Sequence, residues 1–189
     1  MNKKVITILI IFLFIELVWA AVYLTKKTPQ EKQPISQTEP TNQQNPPTLS
    51  FSPSTSSPTL DQPFQIAILI DTKEKSITAA DIIISYDPTI LQIDETGIAV
   101  TNAFPSYPLI KVDSQEGIIS ITGTTQDPKD SPLEGRKEFV TLTFTPIKQG
   151  PTQLSFIFEK DSTTDSNLIE PTQIKDILEK VENGSYTVN

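Results

Sequence analysis

The chain contains no histidine and no cysteine. Without His the commonest general base is missing, and without Cys there is neither a thiol nucleophile nor a thiolate metal ligand. Carboxylates remain, so glycosidase-type chemistry is not excluded by composition. However, no nucleophile–base pairing can be read, and spacing alone locates no working carboxylate pair. No disulfide can staple the fold in any compartment, so stability must come from an apolar core. The roughly 140 residues of the C-terminal region suffice, since a domain of that size buries about 68–70% of its unfolded surface. Positive charge is also scarce: residues 61–189 hold ten Lys and Arg against twenty Asp and Glu, a balance near −10. That excludes nucleic-acid binding through phosphates and docking of this region on an anionic membrane. It favours a basic or neutral partner face with a salt-sensitive on-rate.

Three zones follow one another. Residues 1–24 carry a twenty-residue run, Val5 to Leu24, preceded by Lys3 and Lys4. Its length matches a bilayer's hydrocarbon core. Glu16 costs about 2.5–3.5 kcal/mol on insertion scales, while each Leu, Ile, Phe or Val returns about 0.3–0.6 kcal/mol. With fourteen such residues in the run, insertion wins. The expectation is an uncleaved transmembrane anchor, single-pass in the cell membrane, with the C-terminal domain outside. Two other readings stay open. One is a secretory signal peptide cleaved near Val18-Trp19-Ala20. The other is a pilin-like leader, since Phe12-Leu13-Phe14-Ile15-Glu16-Leu17 resembles that of type IV pilins, though Ile11 stands where those have Gly. Residues 25–47 hold Pro29, Pro34, Pro40, Pro46 and Pro47 among Thr, Gln, Asn and Ser. This composition predicts a disordered tether reaching at most roughly 75 Å.

Residues 48–189 read as one all-β domain, a two-sheet jelly-roll-like sandwich of about nine strands. The candidates are Leu49–Pro53, Phe64–Asp71, Thr78–Asp87, Leu91–Ile93, Ile110–Asp113, Gly117–Thr122, Glu138–Thr145, Gln153–Phe158 and Gly184–Val188. Phe64, Ile66, Ile68 and Ile70 alternate onto one face, as do Val140, Leu142 and Phe144, and then Leu154, Phe156 and Phe158. Ser114-Gln-Glu-Gly117 and Lys148-Gln-Gly-Pro151 read as hairpin turns. Ile174, Ile177, Leu178 and Val181 have helical spacing, and that piece stays unresolved.

The most informative stretch is Ile77-Thr-Ala-Ala-Asp-Ile-Ile-Ile-Ser-Tyr-Asp-Pro-Thr-Ile-Leu-Gln-Ile93. Ile82, Ile84 and Tyr86 share the face that alternation buries, while Asp81, Ile83 and Ser85 share the other. Pro88 has no backbone donor, so the ladder must break or turn at Asp87-Pro88. An alternating strand, a Tyr-Asp-Pro corner and a short Leu-x-Ile continuation resemble the cohesin domain, the non-catalytic β-sandwich receptor for dockerin-bearing proteins. Gly117-Ile-Ile-Ser-Ile-Thr-Gly, Phe139-Val-Thr-Leu-Thr-Phe and Asn183-Gly-Ser-Tyr-Thr-Val188 follow in the family's order. The resemblance thus spans about Thr48 to Asn189.

It implies recognition by a flat sheet face, not by a pocket. Cohesins commonly place an Asn two residues before the position of Asp81; here Ala79 stands there and Asp81 is retained. Ile83 sits beside Asp81 as an apolar anchor, with Ser85 beyond it. On the neighbouring strand Ser120 and Thr122 occupy positions where the family often has apolar residues. The expected partner-binding set is therefore Asp81, Ile83, Ser85, Ser120 and Thr122, with a dockerin-like protein as partner. The family also links the chain to polysaccharide binding or breakdown. A carbohydrate-binding module of the same sandwich superfamily is the alternative. Sugar rings would then stack on Phe104 and Tyr107 of the Pro-rich loop Asn102–Pro108, whose other reading is packing under the loop. A structural envelope or pilus-like subunit is a further alternative. No cofactor is expected. Asp127, Asp130 and Glu134 read as a solvated loop in preference to a weak calcium site.

Overall fold

Alternating apolar residues become paired strands through the C-terminal region of the computed structural model, which describes residues 45–125, 132–162 and 164–189. The expected membrane segment Val5–Leu24, nearly all of the expected tether, and Asp127 and Asp130 lie outside the described residues. The strands are β1 (Thr48–Ser52), β2 (Thr55–Ser56), β3 (Phe64–Asp71), β4 (Ala79–Ser85), β5 (Leu91–Gln92), β6 (Ile98–Val100) and β7 (Ser106–Asp113). There follow β8 (Ile118–Thr124), β9 (Arg136–Pro146), β10 (Gly150–Phe156), β11 (Asn167–Glu170), β12 (Lys175–Asp176), β13 (Lys180–Glu182) and β14 (Gly184–Val188). One sheet runs β13-β1-β3-β9-β5, with β6 also on β9. The other runs β12-β11-β4-β10-β14-β2, and β8 then β7 extend it from the opposite edge of β4. The fold is a two-sheet all-β sandwich.

Period-two patterning fills the space between the sheets. Ile66, Ile68 and Ile70 of β3, Val140, Leu142 and Phe144 of β9, and Ala80, Ile82 and Ile84 of β4 are fully buried. Ile119 and Ile121 of β8 and Leu154 of β10 join them. Each fully buried large aliphatic contributes about 1.5–3 kcal/mol. The core also holds Phe51 stacked on Phe156 at 4.2 Å between ring centroids, and Tyr86 edge-on to Phe144 at 5.5 Å.

A β-bulge shapes one end. Ile68 pairs with Val140 while Leu69 pairs with Glu138, so Phe139 is the extra residue on β9. The bulge breaks the alternation and lets consecutive Phe139 and Val140 both face inward. The bulge carbonyl of Phe139 accepts the Tyr107 hydroxyl at 2.9 Å and lies 3.0 Å from that of Thr101. Gly123 of β8 leaves room for the rings: a β-carbon there would come within 2.6 Å of both Phe104 and Phe139.

The strand count exceeds the expected nine because β2, β6, β11, β12 and β13 are two to four residues long. Pieces that short show no alternation to read. The segment with helical spacing is not a helix: it runs from β12 into β13, with Leu178 buried and Ile174 80% exposed. Val181 pairs with Leu49, Ile177 N–H reaches the Leu168 carbonyl at 2.8 Å, and Leu178 N–H is bonded to the Asp176 side chain. β10 ends at Phe156, two residues earlier than expected; it lies between β14, which pairs with Gly150–Leu154, and β4, which pairs with Ser155 and Phe156.

Candidate recognition face

β4 sits at the centre of its sheet. It pairs with β8 from Ala79↔Thr124 to Ser85↔Ile118, and β8 pairs in turn with β7. Its other edge is shared: β11 takes Ala79–Asp81 and β10 takes Ile84 and Ser85. Because Ile82 and Ile84 point into the core, Asp81, Ile83 and Ser85 point away from it, all partly exposed.

Register arranges this outer face in rows. Leu109, Thr122, Asp81 and Asn167 form one row across β7, β8, β4 and β11. Lys111, Ser120 and Ile83 form the next, and Asp113, Ile118, Ser85 and Ser155 the third. All five sequence-predicted partner-binding residues are thus brought together on adjacent strands. Thr122 donates its hydroxyl to Asp81 Oδ1 at 2.6 Å. This bond fixes the carboxylate on the β8 side of its strand. Leu109, 44% exposed, and Ile157, 38% exposed, flank the rows as apolar surface. Ser85 points its hydroxyl towards the Ser155 carbonyl at 3.4 Å, a long contact.

Where β4 changes neighbours, Ser166 bridges the gap. Its hydroxyl oxygen accepts the Ile83 N–H at 3.0 Å and donates back to the Ile83 carbonyl at 3.1 Å. Ile157 N–H reaches the same carbonyl at 2.8 Å. The backbone of Ile83 is therefore held from below while its side chain faces outward.

Four residues of this region escaped the sequence reading. Leu109 lies one residue before the expected start of its strand, in a stretch broken up by Pro105 and Pro108. Asp165, Ser166 and Asn167 fall outside every candidate strand, yet all three are buried. Parity could have found Leu109 once Ile110 was taken as inward. Nothing local signals the other three.

The proposed sugar-stacking pair is not available. Phe104 is only 3% exposed, edge-on to Tyr107 and to Phe139. Tyr107 is half-buried, packs against Phe139 at 5.3 Å between centroids, and its phenol is pushed up by burial, with bonds to Thr101 and Phe104 opposing. The loop turns these rings inward because the bulge at Phe139 offers them a partner. Among the described residues the exposed large apolar side chains are Val100, Leu109, Ile147, Ile157 and Ile174, and none is aromatic.

Corner residues play local roles. Asp87 accepts from the backbone and the hydroxyl of Thr89 at 2.8 and 2.7 Å, and these bonds hold its carboxyl below the usual range. Glu134 accepts the Ser76 hydroxyl. A 270 Å³ cleft beside β1 and β13 is lined by Asp71, Lys73, Arg136, Lys180 and Glu182. Four of these five charges are taken up in Lys73–Asp71 and Lys180–Glu182 ion pairs at 2.5 and 2.6 Å. Burial pushes the Asp71 carboxyl up, and the Lys73 hydrogen bonds and charge outweigh it. Among the described residues no three His, Cys, Asp or Glu side chains cluster to hold a metal.

The comparisons agree with this geometry. The family model for the cohesin domain matches residues 53–188. Comparison with curated proteins gives no match. Among solved structures, the third ScaC cohesin of Acetivibrio cellulolyticus, in complex with the ScaB dockerin, superposes with TM-score 0.61 at 12% identity. The match covers 75% of this chain and 98% of that one. CaCohA2 of Clostridium acetobutylicum gives 0.60 at 17% identity, covering 76% and 91%. The OlpA cohesin of Clostridium thermocellum, solved with a dockerin, gives 0.58 at 12%, covering 77% and 100%. At such identities the structures speak for the fold, and the family model carries the assignment. With its β-sandwich and its matched residues 53–188, the chain belongs to the cohesin domain family.

Proposed function

We propose that this protein is a non-catalytic receptor that recruits a dockerin-like protein through the outer face of β7, β8 and β4. The observation that carries this reading is the three-row face itself. It sets one fixed carboxylate, Asp81 bonded to Thr122, beside Ile83 and the exposed Leu109, on strands paired along β4 and β8. A partner would bury the aliphatic side chains as anchors and meet Asp81 with a donor or a cation. With Ser120 and Thr122 in its middle, the face is polar, and its partner's surface should carry hydrogen-bonding groups opposite β8. The domain's acidic balance favours a basic or neutral partner.

The receptor reading extends to its placement. Val5–Leu24 would anchor the protein in the cell membrane and residues 25–47 would hold the sandwich outside, away from the bilayer. Any link to polysaccharide breakdown would run through the recruited protein.

Capture from the producing cell's own surface and secreted fractions tests the reading. Immobilised protein and an Ile83→Asp variant are compared by mass spectrometry of what each retains. A specific protein held by the wild type and lost by the variant supports the receptor and its face. Identical retention by both, or none by either, rejects it.

A further inference from the structure

Behind the exposed rows, the start of β11 holds buried oxygens that have no donor. Asp165 and Asn167 are each 6% exposed. One carboxylate oxygen of Asp165 accepts the Glu159 N–H, and the other, Oδ1, has no hydrogen-bond partner. Asn167 donates its side-chain N–H to the Asp165 carbonyl at 3.2 Å. That bond fixes the orientation of the amide and leaves its Oδ1 without a partner as well. Asn167 stands directly opposite Asp81 on β4, and paired residues of neighbouring strands share a face with Cβ atoms about 4.5–5.5 Å apart. Asp81 gives Oδ1 to the Thr122 hydroxyl and keeps its second oxygen free to bind.

Buried acceptors are normally satisfied, and a buried carboxylate oxygen without a donor is a strong exception. Here one such carboxylate oxygen, of Asp165, and one unpartnered buried amide oxygen, of Asn167, occur two residues apart, with a second carboxylate across the strand pair. All the donors are oxygens, two of them from carboxylates and one from an amide. Such a set suits a hard cation, and its irregular arrangement suits calcium better than the strict octahedron of magnesium.

We propose that Asp165 and Asn167, completed by Asp81, form a calcium site that fastens the loop between β10 and β11 against β4. The inference does not depend on any partner, since the cation is bound by this chain alone.

Calorimetric titration of calcium chloride into the chelator-stripped full-length protein in detergent tests it, with thermal melts alongside and magnesium chloride as the comparison. The expected result is a saturable heat of about one ion per chain, much weaker with magnesium. The melting temperature should rise by roughly 5–10 °C at about a hundred times the dissociation constant. Asp165→Asn should lose most of both responses, while Glu116→Gln, on the turn before β8, should keep them. Should Asp165→Asn not fold, Asp81→Asn serves instead, with an expected affinity loss of about tenfold or more. A wild type with no heat and no shift overturns the proposal. So do site variants that respond to calcium as the wild type does.

Discussion

Single residues decide how the rings at one end of the sandwich pack. Gly123 faces both Phe104 and Phe139, and a side chain there meets ring atoms at 2.6 Å before any relaxation. Gly123→Val should therefore destabilise the domain by about 1–3 kcal/mol, the ordinary cost of overpacking, read as a lower urea midpoint with an unchanged slope. Gly117 is constrained differently. It sits at φ +67° in the β7–β8 turn, and its carbonyl accepts the Tyr86 N–H at 2.8 Å. The outward parity of Asp81, Ile83 and Ser85 was legible because the neighbouring Ile82 and Ile84 leave one choice of face. The burial of Phe104 was not. Its loop has no period, and the bulge that makes space for the ring lies thirty-five residues away on another strand.

At the scale of elements, the weak point of the recognition sheet is the divided edge of β4. β11 and β10 each pair with only part of it, and the single hydroxyl of fully buried Ser166 spans the junction. Ser166→Ala leaves the Ile83 N–H facing an apolar methyl and should cost about 1–3 kcal/mol. Hydrogen exchange should place the loss: the Ile83 amide should exchange faster, while the β3–β9 amides keep their protection relative to global unfolding. Equal acceleration everywhere would assign Ser166 a merely global role. The long strands β3, β4, β8, β9 and β10 were readable from alternation, and β14 from the resemblance of Asn183-Gly-Ser-Tyr-Thr-Val188 to the family's closing segment. β11 was not, since Asp165-Ser-Asn-Leu opens with three polar residues whose burial is set by what covers them. Ile174, Ile177, Leu178 and Val181 stayed unresolved from the sequence: their spacing of three and four spans a turn, an irregular link and a short strand, and no single period covers them.

For the whole molecule, the absence of His and Cys makes the tyrosines the side chains to follow on the alkaline side. Burial raises the phenols of Tyr86, Tyr107 and Tyr186 above their ordinary value, with Asp113 adding to the effect on Tyr86. A raised value means that folding favours the neutral phenol. This contribution is complete below the unfolded value of about 10 and is lost as pH rises through the folded values. The sandwich should keep full stability at about pH 8 and unfold cooperatively at strongly alkaline pH. Phenolate absorbance of these tyrosines should appear together with the loss of the β circular-dichroism signal. Phenolate absorbance that completes its rise while the fold is intact would contradict their burial. A second expectation concerns the proposed anchor. The full chain should partition with membranes and resist extraction by salt, whereas a chain lacking residues 1–24 should not.

The outer edge of β7 has a consequence for crowding. Lys111 and Leu109 face out from a long strand with no neighbouring strand beyond it among the described residues, the arrangement that invites strand-to-strand aggregation. Yet Pro108 offers no N–H, and the Val112 N–H is occupied by the Glu95 carboxylate at 3.1 Å. Ile110 is then left as an isolated outward donor between two blocked positions. Copies displayed side by side at high density would find no continuous ladder on which to zip together, so they would stay separate and each face would stay open.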